Sequence, residues 1–426
     1  MEFPASLGGA PGWSGDTHLA RAGGGIPLSG LFYAHRHRNR GREGFGLQRS
    51  ASPGRIPAHD GAGRLFHVEG RLSALSIGGA GGPSATNRGG GVGESAVIAS
   101  VVIPVYNAGS TLAHCLGALA DQSLAREKYE ILVVDDGSRD ATRQRVASFG
   151  ARLLSQPHKG PAVARNLGVR ESQGDIILFT DADCEPSPHW VEALMRALED
   201  PEVTGAKGIY ATRQKALIAR FVQLEYEDKY DKMKRERCID FVDTYSAAYR
   251  KEILLREGGF DSAFPRASGE DVDLSYRLSR RGYKLVFVPE AVVYHRHVGT
   301  LGGYLRRKFY VGFWRVLMYR KSPEKMIADS HTPQSLKLQC ILATVSIALL
   351  LAFPLLPRLA IWGLSASLVL FLLSSLPFLA RCFKKDPQVG LVALPLLLVR
   401  AFALTAGFLA GIVRHLYLTL RDRLSR

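Results

Sequence analysis

Three apolar stretches near the end of the chain, Leu338–Leu356, Leu359–Ala380 and Val389–Val413, set the strongest limit on its fold. Each approaches or exceeds the roughly 20 residues that cross a bilayer as a helix. Hydrocarbon offers no partner to a bare peptide group, so segments of this kind must be helical. Residues 331–426 are therefore expected to form a transmembrane region of two or three helices, and everything before them must supply its own core. With that preceding part on the cytoplasmic side, Arg381, Lys384 and Lys385 fall inside, as positive-inside bias requires. The same orientation leaves Arg414, Arg421, Arg423 and Arg426 outside and puts Arg400 within lipid, which is costly. The third stretch is thus open to two readings: a full span, or a re-entrant or interfacial segment beside a two-span hairpin.

The 426 residues carry a net charge of +16, which suits anionic lipid, an anionic substrate or nucleic acid. No zinc-finger spacing and no aromatic RNA-binding signature accompany the charge, so no nucleic-acid partner is expected. Cys115, Cys184, Cys238, Cys340 and Cys382 are scattered and odd in number, which argues for a reducing compartment and against a disulfide framework.

Residues 1–95 are rich in Gly, Arg, Ser and Pro, lack periodic apolar runs and read as disordered. They hold no apolar h-region of a cleavable signal. Gly89–Ser95 resembles a phosphate loop but has Glu94 where Lys is needed and Arg88 where Gly is needed. An over-extended reading frame, with the true start near Ala96, is one account of this segment. A peptide mapped inside Met1–Ser95 by mass spectrometry would reject it.

From Ala96 onward the pattern alternates between strand and helix. Val97–Ile103 and Tyr129–Val134 are β-branched apolar runs, and Ala151–Leu154 is a third candidate strand. Helical spacing fills Gly109–Asp121 and Gly160–Glu171, the latter opened by Pro161. Such alternation implies a parallel sheet with right-handed crossovers. The first strand ends in Pro104-Val105-Tyr106-Asn107-Ala108-Gly109, so the Gly-x-Gly-x-x-Gly of a dinucleotide site is absent. Asp135 and Asp136 stand at the tip of the second strand, where carboxylates accept nucleobase N–H or ribose hydroxyl hydrogen bonds.

The next strand, Ile176–Phe179, runs into Asp181-Ala182-Asp183. Ligands of open α/β sheets bind beyond the carboxyl ends of strands. Two hard oxygen ligands there suit a divalent cation that grips phosphate, Mg2+ or Mn2+; the competing reading is a solvated acidic turn. Further strands are expected at Val203–Ile209, within Asp240–Tyr249, at Lys284–Val288 and at Ala291–Tyr294, with helices over Pro188–Glu199 and Gln214–Arg237. Ser268-Gly269-Glu270-Asp271 opens a helix to Arg281, with Glu270 and Asp271 at its positive end. They read either as capping acids or as a general base for an acceptor hydroxyl. His295-Arg296-His297 closes the region.

In order, the chain carries VVIPVYNAG, VVDDGSRD, GPAVARNLG, DADC, GGFD, GEDVDL and VYHRH. This set, over about Ala96–Arg320, resembles the membrane-anchored bacterial type of family 2 glycosyltransferase. The resemblance implies a GT-A fold, a Rossmann-like, mostly parallel α/β sheet, with residues 96–298 as the catalytic domain. It implies inverting transfer of a sugar from a nucleotide-diphospho-sugar. By position, Pro104, Tyr106, Asn107, Asp135 and Asp136 would line the nucleoside pocket and Arg165 would approach the donor. Asp181 and Asp183 would hold ribose and metal, with Asp183 the direct ligand and His295 a further metal or phosphate contact. Asp271, next to Glu270, would be the base.

The Gln-x-x-Arg-Trp segment of processive polysaccharide synthases is missing; Arg306-Arg307-Lys308 and Gly312-Phe313-Trp314-Arg315 stand instead. One sugar per acceptor is therefore expected, the acceptor being lipid-linked or otherwise membrane-proximal, in cell-envelope glycan or glycolipid synthesis. A polyprenyl-phosphate glycosyltransferase, or a non-catalytic nucleotide-sugar-binding scaffold, are the alternatives. Residues 299–330 read as an amphipathic interfacial helix: Leu301, Leu305, Phe309, Gly312 and Val316 form one stripe, with Arg307, Lys308 and Arg315 off it, facing anionic lipid. The expected location is the cell membrane, multi-pass, with the catalytic domain cytoplasmic.

Overall fold

The protein is described here from a computed structural model, which covers residues 97–264 and 269–424. The expectations for residues 1–95 and for Ser268 lie outside the described residues.

The sheet domain begins with β1 (Ala99–Val105), α1 (Leu112–Ala120), β2 (Tyr129–Asp135), α2 (Thr142–Ala147), β3 (Arg152–Ser155) and α3 (Pro161–Glu171). It continues through β4 (Ile176–Thr180), β5 (Cys184–Pro186), α4 (Trp190–Ala197), β6 (Val203–Ala211) and α5 (Leu217–Met233). The eight strands form one sheet in the order β3-β2-β1-β4-β7-β6-β8-β5, in which β7 (Ser246–Arg250), α6 (Lys251–Arg256), α7 (Glu270–Arg280) and β8 (Lys284–His295) complete the chain order. Strands β1 to β4 pair in parallel, as the strand–helix alternation predicts. The sheet is mixed beyond that: β7 runs antiparallel to both β4 and β6, and β5 runs antiparallel to β8. The two short strands expected at Lys284–Val288 and Ala291–Tyr294 are one strand, β8, paired parallel to β6 through an irregular register.

Side-chain alternation along β1 sets the layers. Val101 and Ile103 face α1 and α4, whereas Val102 faces α3. Helix α3 starts at Pro161, directly after Gly160 at φ +95, and approaches the sheet closely at Gly168, where a Cβ would meet Val102 at 2.3 Å. Only glycine permits that approach.

A third core joins the sheet domain to α8 (Leu301–Lys321), α9 (Gln334–Ala352), α10 (Pro357–Lys385) and α11 (Pro387–Leu424). Among the described residues, Gln334–Ala352, Pro357–Lys385 and Pro387–Asp422 are long and apolar enough to cross a membrane. The turn between α9 and α10 and the start of α10 are exposed, Leu355 at 83% and Trp362 at 76%. Helix α11 behaves differently. It is unbroken despite Pro395, and it touches α5 in its first half and α8 farther on. Arg220 donates to Gln388 (2.8 Å), Arg400 pairs with Glu225 (2.8 Å) and Arg320 donates to His415 (3.1 Å). Gly312, Gly407 and Gly411 let α8 and α11 pack backbone to backbone; a Cβ at Gly407 would lie 1.9 Å from the carbonyl oxygen of Phe309. The stripe of α8 therefore buries part of itself against α11 instead of lying on bare lipid. The cost expected for Arg400 is also met, because it is buried between Glu225 and Gln339 (2.6 Å).

Candidate active site

Strand β4 is the switch in the sheet, parallel to β1 on one side and antiparallel to β7 on the other. Asp181 and Asp183 leave its carboxyl end. Cys184 N–H donates to the Asp181 carbonyl (3.0 Å), and β5 then pairs with β8 so that Cys184 lies opposite His295. That register brings His295 Nε2 to 3.3 Å from Asp183 Oδ2. Asp181, Asp183 and Cys184 offer ligand atoms within 4.8 Å of one another. The Cys184 thiol is a poor member of that set, since burial and the two neighbouring acids push its pKa well up.

A chain of hydrogen bonds orients the two histidines beside Asp183. Gln223 Nε2 donates to the Tyr210 carbonyl (3.0 Å), so Gln223 Oε1 is the acceptor for His297 Nε2 (3.0 Å). Burial, then His295 and Arg307, push the pKa of His297 down to about 3, so its ring is neutral and its Nδ1 is an acceptor. His295 Nδ1, 3.1 Å away, is thereby committed, and Nε2 is the ring nitrogen turned to Asp183. Oriented imidazole with its other nitrogen committed is the usual arrangement of a metal-binding histidine. Asp181 and Asp183, with His295 beside Asp183, offer the oxygen and nitrogen donors that a Mg2+ or Mn2+ ion takes.

Arg165, buried on α3, ties two parts of the site together. It donates to Glu270 (2.6 Å) and to Asp181 (3.1 Å). Glu270 is itself buried at the first turn of α7 and accepts from Gly269 N–H (3.1 Å). Its commitment to Arg165 leaves Asp271 as the acid opening into the cavity. That cavity, about 250 Å³, is bounded by Asp181, Glu270, Asp271, Tyr245 and Arg307 among others. Burial, then Glu270 and Asp243, push the pKa of Asp271 up to about 8, with Arg165 opposing. Asp183 opens on a neighbouring cleft of about 240 Å³ with Thr111, His114, Arg213 and His295.

The residues expected around a nucleoside fall into two groups. Tyr106 is 46% exposed, its ring stacked on His158 at 4.1 Å. The others shape loops. Asp135 is buried, accepting from Ser138 N–H (2.9 Å) and Arg143 Nε (2.5 Å). Asp136 accepts from Lys159 N–H (2.8 Å), Gly160 N–H (2.9 Å) and Gln156 Nε2 (2.7 Å), which seats the start of α3. Asn107, at φ 51, accepts from Arg139 N–H (2.9 Å) and donates its own N–H to Ser138 Oγ (2.8 Å). Pro104, within β1, is partly buried. Arg165, expected to approach the donor, lines the cavity with both its terminal nitrogens on acids.

Sequence reasoning missed several cavity residues. Tyr210 stacks on Tyr245 (3.4 Å between centroids) and lies 4.4 Å from the His295 ring, so an aromatic wall of the cavity reaches His295. Lys207, fully buried on β6, pairs with Asp243 and donates to the Tyr245 hydroxyl (3.1 Å). A lysine inside an apolar strand was the available signal. Arg307, Lys308 and Arg315 line the cavity, which corrects the expectation that they face lipid headgroups. The amphipathic pattern of α8 does not distinguish a lipid surface from a polar cavity.

Residues 100–256 match the family model described as Glycosyl transferase family 2. Over 222 residues the chain is 29% identical to Glycosyltransferase AglE of Haloferax volcanii, spanning 50% of this chain and 71% of that protein. Over 238 residues it is 30% identical to the Pre-mycofactocin glycosyltransferase of Mycobacterium tuberculosis, 53% of this chain and 48% of that one. The chain thus spans about half the length of the second relative. Among solved structures, the Mannosyltransferase PcManGT from Pyrobaculum calidifontis in complex with GDP-Man and Mn2+ gives a TM-score of 0.47 at 21% identity, over 75% of this chain and 87% of that one.

Proposed function

The chain belongs to the family 2 glycosyltransferases, enzymes that transfer sugar from a nucleotide-sugar, and from that premise we propose inverting transfer of one sugar to a lipid-linked acceptor at the membrane. One observation carries the reading. Arg165 clamps Asp181 to Glu270, so the first acid after β4 and the acids at the head of α7 line one cavity, with Asp183 on the adjoining cleft.

In this reading the Tyr106 ring and its His158 partner offer a face to the nucleobase, and Asp135, Asp136 and Asn107 hold the loops behind it. Asp181, Asp183 and His295 hold Mg2+ or Mn2+, which when bound offsets negative charge on the departing diphosphate. Arg165 keeps Asp181 and Glu270 in register. Asp271 accepts the proton of the acceptor hydroxyl on the face opposite the leaving group, and displacement from that face inverts the anomeric centre. A pKa near 8 suits a base working around neutrality, since it binds the incoming proton and still has a charged fraction.

The catalytic domain sits on the cytoplasmic face. Helices α9 and α10 form a two-span hairpin, and α11 lies along the membrane-facing base beside α8. Contacts from Gln388 to His415 support this, because a helix crossing the bilayer would leave the domain at one end. The arrangement also returns Arg414 and Arg421 to the side of Arg381 and Lys384, which removes the conflict with positive-inside bias.

The test is donor turnover by the detergent-solubilised full chain with Mn2+, reading released nucleoside diphosphate. Turnover is expected to fall about 10²–10³-fold in Asp183→Ala, the scale seen when one charge-stabilising group is removed. Turnover unchanged by EDTA would remove the metal from the mechanism.

A further inference from the structure

Beside the catalytic cavity lies a second one of about 290 Å³, enclosed by α5, α8, α9 and α11 at the level where the apolar helices begin. The two share a wall: Glu225, Lys229, Lys308, Val311 and Arg315 line both. Charge on that wall does not balance. Glu225 is the one acid there, and it is divided between Lys308 (3.0 Å) and Arg400 (2.8 Å). Asp228, also in the second cavity, is taken by Arg381 (2.6 Å), and Lys337 by Asp329 (3.1 Å). Arg315 has only the hydroxyls of Tyr319 (2.9 Å) and Thr332 (3.3 Å). Lys229 has no hydrogen bond or ion pair among the described residues, only the face of Tyr226 at 5.0 Å. His331, 3% exposed and stacked on Phe241 in the first cavity, has a buried Nδ1 without a partner.

A partly buried cation without a counter-ion, here Lys229, is costly, and a wall where three cations share one acid is built for an anion that arrives later. Burial, then Lys308, push the ammonium of Lys229 down to about 7, the condition of a lysine lacking its counter-ion. Most of the other walls of the second cavity are apolar, with Leu336, Ile341, Leu404 and Phe408 among them. These surround the anion-seeking wall with side chains suited to an acyl or isoprenoid chain.

We propose that this second cavity holds the acceptor lipid, with its phosphate or diphosphate gripped by Lys229, Lys308 and Arg315 and its hydrocarbon chain lodged between α8, α9 and α11. The inference rests on the transferase reading above and deepens it: the acceptor is a phosphorylated lipid, held so that the group beyond its phosphate reaches Asp271. Bulk anionic phospholipid is the competing occupant. It would have no reason to seek the wall shared with the catalytic cavity.

The experiment measures binding of a fluorescent long-chain polyprenyl phosphate to the full chain in neutral detergent, against the matching polyprenol, inorganic pyrophosphate and phosphatidylglycerol as competitors. The expected result is that the polyprenol and phosphatidylglycerol compete at least about tenfold more weakly than unlabelled polyprenyl phosphate. Lys229→Met with Arg315→Met should weaken binding on the order of a hundredfold, about tenfold for each charge-assisted contact. Lys229→Arg, which keeps the charge, should stay within about threefold and confirms that the site tolerates substitution. Equal competition by the polyprenol, by phosphatidylglycerol or by pyrophosphate alone overturns the proposal, as does undiminished binding in the double variant. Nucleoside diphosphate binding with Mn2+ is read on the same preparation. If that binding persists while the lipid phosphate is ignored, only this inference falls; if neither ligand binds, the transferase reading falls with it.

Discussion

Asp136, on the loop after β2, and Lys229, on α5, are both largely withdrawn from water, and the fold treats them in contrary ways. Asp136 accepts hydrogen bonds from two backbone N–H groups and a glutamine side chain. Lys229 has only an aromatic face. The same contrast runs through the regions they belong to. The parallel half of the sheet completes its own polar network, with Asp135, Asn107 and Asp140 each stapling a loop. The region where α5 meets α8 and α11 keeps cations in surplus. A rigid, internally satisfied half suits a donor of fixed shape, and an unsatisfied half suits a charged ligand that must enter from the membrane.

The bridge between the halves is the place to break this contrast. Arg165→Met leaves Glu270 buried without its main partner, and a loss of about 3–5 kcal/mol is expected in chemical denaturation. Adding Glu270→Gln should recover part of it, since the stranded charge is then gone. If the single variant denatures like the parent, the two halves are not coupled through this pair.

Asp271→Asn is expected to lower transfer on the order of a hundredfold while donor affinity holds. The pH profile sharpens the assignment. Because the pKa of Asp271 is raised to about 8, the base is mostly protonated at neutral pH, so the parent's rate should climb as pH rises through about 8. The variant's profile should be flat there. A rise of equal size in the variant would assign that titration to another group.

Gly407→Leu forces side-chain atoms into the backbone of α8, and a loss of about 1–3 kcal/mol is expected by thermal unfolding, with the helix contact disrupted. Asp135→Asn, within the satisfied half, should cost only about 1 kcal/mol, because Arg143 is half exposed and water replaces much of that pair.

The donor half was largely legible in sequence because its signals are local. β-Branched runs gave β1, β2 and β4 within two residues, Pro161 marked the start of α3, and the Asp181–Asp183 pair stands where a strand end predicts it. Antiparallel β7 was not legible, since pairing direction depends on how the chain returns and not on composition. Nor was the roll of cavity residues: Tyr210, Tyr245 and Arg307 come from separate parts of the chain and meet only through sheet order and the seating of α8.

Sequence alone determined the strand–helix frame, the acid pair and the presence of helices apolar enough for a membrane, because each follows from residue spacing over one or two turns or strands. Only the tertiary structure decided that Arg165 joins Asp181 to Glu270, that His295 lies beside Asp183, that α11 packs along α8, and that the cations of α5 and α8 surround a cavity. Those depend on contacts between residues about 100 or more positions apart, or on the face a helix turns inward, and neither is set until the layers pack.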